Sequence, residues 1–149
     1  MLNYTRILCP VDIEESSNTG IQLAGALAKE SDATLYILHV AKIPAADMDV
    51  PVPFSANPRW EKDARSTLEV RAREALDDTV HYQIEVRSGL PDRDIVRVAG
   101  ELGVDLIVIA THGRRGLKHF AFGSVAERVI REASCPVLVI RPEKSSSTS

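Results

Sequence analysis

Leu106-Ile107-Val108-Ile109-Ala110-Thr111-His112-Gly113, then nine residues, then Gly123-Ser124-Val125-Ala126-Glu127-Arg128-Val129-Ile130-Arg131 is the stretch that decides the fold. Its first four residues are an unbroken apolar run, the pattern of a strand buried on both faces. From Val125 onward the apolar residues recur at helical spacing. Ser124, with Glu127 three residues on, predicts an N-cap and a capping box. A strand, a glycine-bearing loop and a helix start thus follow one another. A helix start offers unpaired N–H groups and a partial positive charge, and glycine lets a ligand approach the backbone. The unit therefore predicts an anion site of the kind a nucleotide phosphate occupies.

Upstream, strand-like and helical runs alternate. Arg6-Ile7-Leu8-Cys9-Pro10-Val11 reads as a first strand, and Ser16 or Ser17 precedes a helix through Lys29 with Ile21, Leu23, Ala24, Leu27 and Ala28 on its inner face. Residues 34–40 read as a second strand. Residues 80–86 form a third, alternating enough to lie near a sheet edge. Between them, residues 60–77 read as a polar helix with Ala64, Leu68, Ala72 and Leu76 on one stripe. Pro91 suits the first turn of a third helix, carrying Ile95, Val96 and Val98 and ending near Gly103. The last strand is Val137 to Ile140. This order predicts an α/β fold: a single doubly wound, five-stranded parallel sheet with helices on both faces, joined by right-handed crossovers. In such a sheet the ligand crevice lies at the carboxyl ends of the strands where the winding direction reverses. The loops after strands one and four, carrying Asp12 and Gly113, are then partners.

Composition sets bounds. The 149 residues, 44% hydrophobic and 26% charged, suffice for one ordinary core, so residues 1–142 are expected to form a single domain and 143–149 a disordered tail. The net charge of −3 without a basic block argues against nucleic-acid binding, and the apolar runs are too short to span a bilayer. Two cysteines, Cys9 and Cys135, fit a reducing compartment, and Asp12, Glu14 and Glu15 disrupt any leader-like run, so a cytoplasmic address is expected. Neither a Walker A loop nor a dinucleotide fingerprint is present.

Several segments in order carry a family resemblance. They are Arg6-Ile7-Leu8-Cys9-Pro10-Val11-Asp12, Leu38-His39-Val40, Asp105-Leu106-Ile107-Val108, Thr111-His112-Gly113-Arg114-Arg115-Gly116, Gly123-Ser124-Val125-Ala126-Glu127 and Cys135-Pro136-Val137-Leu138-Val139. Over residues 3–142 the chain resembles the universal stress protein family. The resemblance implies a five-stranded α/β domain, commonly a homodimer, and an ATP-binding subclass marked by Gly-x2-Gly-x9-Gly-Ser/Thr. The chain matches that pattern except at its first position, where Ala110 stands. A methyl group facing the phosphates would overpack the site by roughly 1–3 kcal/mol; one pointing into the sheet would cost nothing.

By the same resemblance, Pro10, Val11 and Asp12 lie against the nucleoside, with Asp12 accepting from a ribose hydroxyl or an adenine-side donor. Val40 lines the adenine pocket through its backbone. Ala110, Gly113, Arg114, Gly123, Ser124 and Val125 border the phosphates. ATP with Mg2+ is the implied ligand, and Asp12 the implied metal contact through an ion shared with phosphate oxygens. Plainer roles stand beside these. Asp12 also suits a cap or turn for the first helix, His39 a packed strand end, His112 a loop-orienting hydrogen bond, and the cluster Arg114, Arg115, Lys118 and His119 a solvated face.

No residue is assigned a catalytic role, because phosphoryl transfer needs clustered metal carboxylates and a charge clamp that the sequence lacks. The expected function is a nucleotide-binding regulatory stress protein acting as a dimer. The alternatives are a member that works through protein contacts without ATP, and a weak ATP hydrolase. Residues 42–58, with Pro44, Pro51, Pro53 and Pro58, form a connection of more than ordinary length, suited to a lid or a docking loop. The apolar edge strand Val137–Ile140 is the expected homodimer contact.

Overall fold

The computed structural model describes residues 3–13, 17–42, 59–111 and 123–141. Nine elements alternate among them: β1 (Arg6–Pro10), α1 (Thr19–Ser31), β2 (Thr34–Lys42), α2 (Arg59–Ala75), β3 (His81–Gly89), α3 (Pro91–Leu102), β4 (Leu106–Ala110), α4 (Gly123–Glu132) and β5 (Val137–Ile140). The strands form one parallel sheet in the order β3-β2-β1-β4-β5. Winding runs outward from β1 to β3, then crosses to β4 and on to β5. The reversal therefore falls between β1 and β4, as the sequence predicts.

Alternation along the strands sorts the core into two layers. Ile7 and Cys9, Leu35 and Ile37, and Leu106 and Val108 pack under α1 and α2. Leu8, Leu38, Ile107 and Ile109 pack under α3 and α4. Each fully buried leucine or isoleucine contributes about 1.5–3 kcal/mol, so the central strands, apolar on both sides, anchor the sheet. On α2 the stripe Ala64, Leu68 and Ala72 is buried as expected, with Leu76 packed just beyond the helix. Leu23 departs from expectation: it lies on the outer side of α1 and is 37% exposed, because Gly20, Ile21, Ala24 and Ala28 already fill the contact with the sheet.

Local signals set most ends. Pro91 opens α3, and Gly103 closes it at φ +63°, donating its amide to the carbonyls of Ala99 and Gly100. Helix α1 begins at Thr19 with Asn18 as its cap residue, and the Ser17 hydroxyl accepts from the Thr19 amide at 3.2 Å. Asp12 is thus not the cap of α1. Lys42 belongs to β2 rather than to a loop. Strands β2 and β3 both run longer than predicted because they pair continuously from Thr34↔His81 to Lys42↔Gly89. Residues 43–58, Ser16 and the tail 143–149 lie outside the described residues.

Candidate functional site

At the reversal point the ends of β1, β2 and β4 and the beginnings of α1, α3 and α4 enclose a cleft of about 540 Å3. That volume is ordinary for a small-molecule site. Pro10, Val11, Asp12, Val40, Ala110, Gly123 and Val125 line it together, although they come from three strands, one helix and the loop leaving β1. Gly113, Arg114 and His112 lie outside the described residues. Helix α4 begins at Gly123, which has φ +72°, so Ser124 sits one residue inside the helix instead of capping it. Its side chain is exposed, and it is not among the described lining residues.

The two sheet faces supply different walls. The side chain of Ala110 follows the alternation of Leu106 and Val108 and faces α1. A Cβ added to Gly20 would come within 3.4 Å of the Ala110 methyl. The methyl is therefore directed away from the start of α4, which sits over the opposite face beside Ile107 and Ile109. Gly20 is a site residue that the sequence reading missed; its role follows only from the packing of α1 on β4. Lys42, Pro91 and Thr111 are others. Thr111 carries the ladder one step past β4, its amide donating to the Ile140 carbonyl at 2.9 Å.

The loop leaving β1 is held at successive atoms. The Val11 amide donates to the Leu38 carbonyl at 2.8 Å, and the Val11 carbonyl lies 3.4 Å from His39 Nδ1, which is the donor because a carbonyl only accepts. Arg71 of α2 donates to the carbonyls of Asp12 and Ile13, both at 3.2 Å. His39 is thus a strand-end residue that also fixes the site loop.

Among the described lining residues, Asp12 and Lys42 carry the formal charges and the remainder is largely apolar. Cys9 forms part of the floor. Burial pushes its thiol up to about 12, so at neutral pH it stays protonated and unreactive. No group of three or more His, Cys, Asp or Glu that could hold a metal occurs among the described residues. No helix among them is long and apolar enough to cross a membrane.

The family model described as "Universal stress protein family" matches residues 3–141. The chain belongs to the universal stress protein family. It is 34% identical over 148 residues to Universal stress protein MJ0531 of Methanocaldococcus jannaschii, covering 95% of this chain and 84% of that one. The structure of the protein MJ0577 of the same organism shares the fold at a TM-score of 0.78 and 27% identity, covering 97% of this chain and all of the other. A universal stress protein solved in complex with cAMP shares it at a TM-score of 0.69 and 22% identity, covering 95% and 100% of the two chains.

Proposed function

We propose that this universal stress protein holds ATP in the cleft at the reversal point and acts as a nucleotide-dependent regulatory protein of the cytoplasm. Residues 1–142 would serve as its working domain. One observation carries the reading. The loop bearing Asp12 and the glycine-led start of α4 converge on a single cleft of nucleotide size. In that arrangement Pro10, Val11, Asp12 and Val40 take the nucleoside, while Gly123 and Val125 offer amides to phosphate at a helix start. Gly113, Arg114 and Ser124 would complete the phosphate side. The orientation of Ala110 supports tolerance of alanine at the first motif position. The cAMP complex belongs to another protein, and at its level of identity it speaks only for the scaffold.

The donor set fits Mg2+ only as an ion carried in by the nucleotide. Asp12 is the one carboxylate among the described lining residues, and Mg2+ is commonly held by one or two carboxylates plus substrate phosphates. Asp12 would supply that contact or one to the ribose, and the ion would neutralise phosphate charge beside it.

The reading includes a homodimer, with nucleotide state expressed through its surface. The two sheet edges differ in kind. Strand β3 carries Gln83, Glu85 and Arg87, which discourage pairing, whereas β5 is Val-Leu-Val-Ile with Leu138 38% exposed. Antiparallel pairing of β5 with its copy would close the open edge.

Thermal melting tests the ligand. ATP with Mg2+ at a hundred times its dissociation constant adds about 2.7 kcal/mol, a rise in Tm of about 5–10 °C. An unchanged Tm at saturating nucleotide would sink the reading and leave the protein-contact alternative, which the exposed β5 edge favours. For the dimer, Leu138→Arg should give a monomer in sedimentation while ATP still raises the Tm.

A further inference from the structure

We infer that Arg71 is a positioning residue of the nucleotide site, clamping the loop that presents Asp12 and making α2 part of the binding apparatus. The inference rests on the proposed contact between Asp12 and the ribose. Loop residues keep their freedom unless their backbone groups are held. Here one guanidinium spans two consecutive peptide carbonyls, Nη1 to Asp12 and Nη2 to Ile13, each at 3.2 Å. Arginine presents several donors in a rigid planar fork, so fixing both carbonyls holds the peptide planes on either side of Ile13; with the Val11 carbonyl held by His39, the plane entering Asp12 is held too, and with it the direction in which the Asp12 side chain leaves the backbone.

The neighbouring atoms are held by other elements. The Val11 amide is tied to β2 through Leu38, and its carbonyl faces His39. Arg71 therefore completes a series of backbone contacts running through residues 11, 12 and 13. It is itself half-buried, one turn from Leu68 and adjacent to Ala72, both packed in the core, so its stem has a firm base. The contrast with Arg65 on the same helix is informative. Arg65 donates to the Ile84 carbonyl of β3 and ties α2 to the sheet rather than to the loop leaving β1. A loop ordered before binding spares the ligand the cost of ordering it, and freeing one or so residues would weaken binding about five- to thirtyfold.

The test is isothermal titration of the full chain with Mg-ATP and Mg-2′,3′-dideoxy-ATP, in the wild type, Arg71→Gln and Arg71→Lys. Melting curves without ligand accompany each. Arg71→Gln keeps the stem and helix propensity but loses the fork. It should bind ATP five- to thirtyfold more weakly, with little change for the dideoxy compound, so that the wild-type preference for ATP disappears. Arg71→Lys, whose single ammonium replaces the fork, should restore part of that preference. A wild-type ATP to dideoxy-ATP ratio in Arg71→Gln would overturn the inference, whether both affinities held or both fell together. Equal binding of the two nucleotides by the wild type would also overturn it while leaving nucleotide binding intact. A wild type that binds neither would remove the proposed function and this inference with it.

Discussion

At the amino end of the sheet, Asp105 accepts from the Thr5 amide at 2.9 Å, the Thr5 hydroxyl at 2.8 Å and the Arg6 amide at 3.2 Å. Arg6 in turn donates to the Leu102 carbonyl at 2.8 Å. The same two strands, β1 and β4, end on the other side at a cleft, and there the Arg71 side chain reaches backbone carbonyls of the loop that leaves β1. One end is closed by a carboxylate that serves the fold; the other keeps its carboxylate, Asp12, at the mouth of a cavity. Parallel strands impose this difference. Every crossover returns to the amino end, so the carboxyl ends alone gather the loops that part at the reversal point.

The sharpest way to break the comparison is Gly123→Val. A β-branched residue at φ +72° is strained, and its bulk stands where a phosphate would meet the start of α4. Nucleotide affinity should fall by about a hundredfold or more, at the upper end of backbone strain costs. The protein should still fold and dimerise; loss of the fold as well would show that the two ends are not separable.

Asp105→Ala is the converse. Removing the acceptor for three donors should cost about 1–3 kcal/mol and lower the Tm by about 2–12 °C, with nucleotide affinity unchanged in titration. Acid sharpens the same point. Burial raises the Asp105 pKa, but hydrogen bonds from the Thr5 amide and hydroxyl and the Arg6 amide outweigh that, and the carboxyl is held below the usual carboxylate range. A folded pKa below the unfolded one means the contribution is full at pH above the unfolded value and is lost as pH falls through the folded value. The Tm of the wild type should therefore drop more steeply than that of Asp105→Ala as the pH falls below about 4.

The smallest effect is expected for Ala110→Gly. With the methyl turned toward Gly20 and away from α4, placing glycine there should change ATP affinity by less than about twofold, below the cost of a real overpacking clash. A gain of tenfold or more would mean that the methyl does meet the phosphates.

Much of this was legible in the chain. Apolar runs at 106–109 and 137–140, Pro91 ahead of α3 and Gly103 after it, and the Ala64, Leu68, Ala72 stripe are local signals, and the structure uses each as expected. The capping box at Ser124 predicts a start of α4 at Val125, two residues later than the observed Gly123, because that glycine takes the left-handed turn at the boundary. Leu23 was misassigned because helical periodicity tolerates one position more on the inner face than the small-residue contact between α1 and the sheet accepts.

The sequence by itself determined the order of elements, the parallel sheet and the place of its reversal, since periodicity, caps and crossover handedness act over short spans of chain. Only the tertiary structure decided that Arg71 reaches across fifty-nine residues to the Asp12 loop, that Gly20 faces Ala110, and that Lys42 and Pro91 join the cleft. Those contacts depend on which side of which strand faces which helix, and side-chain reach across packed elements leaves no mark in local spacing.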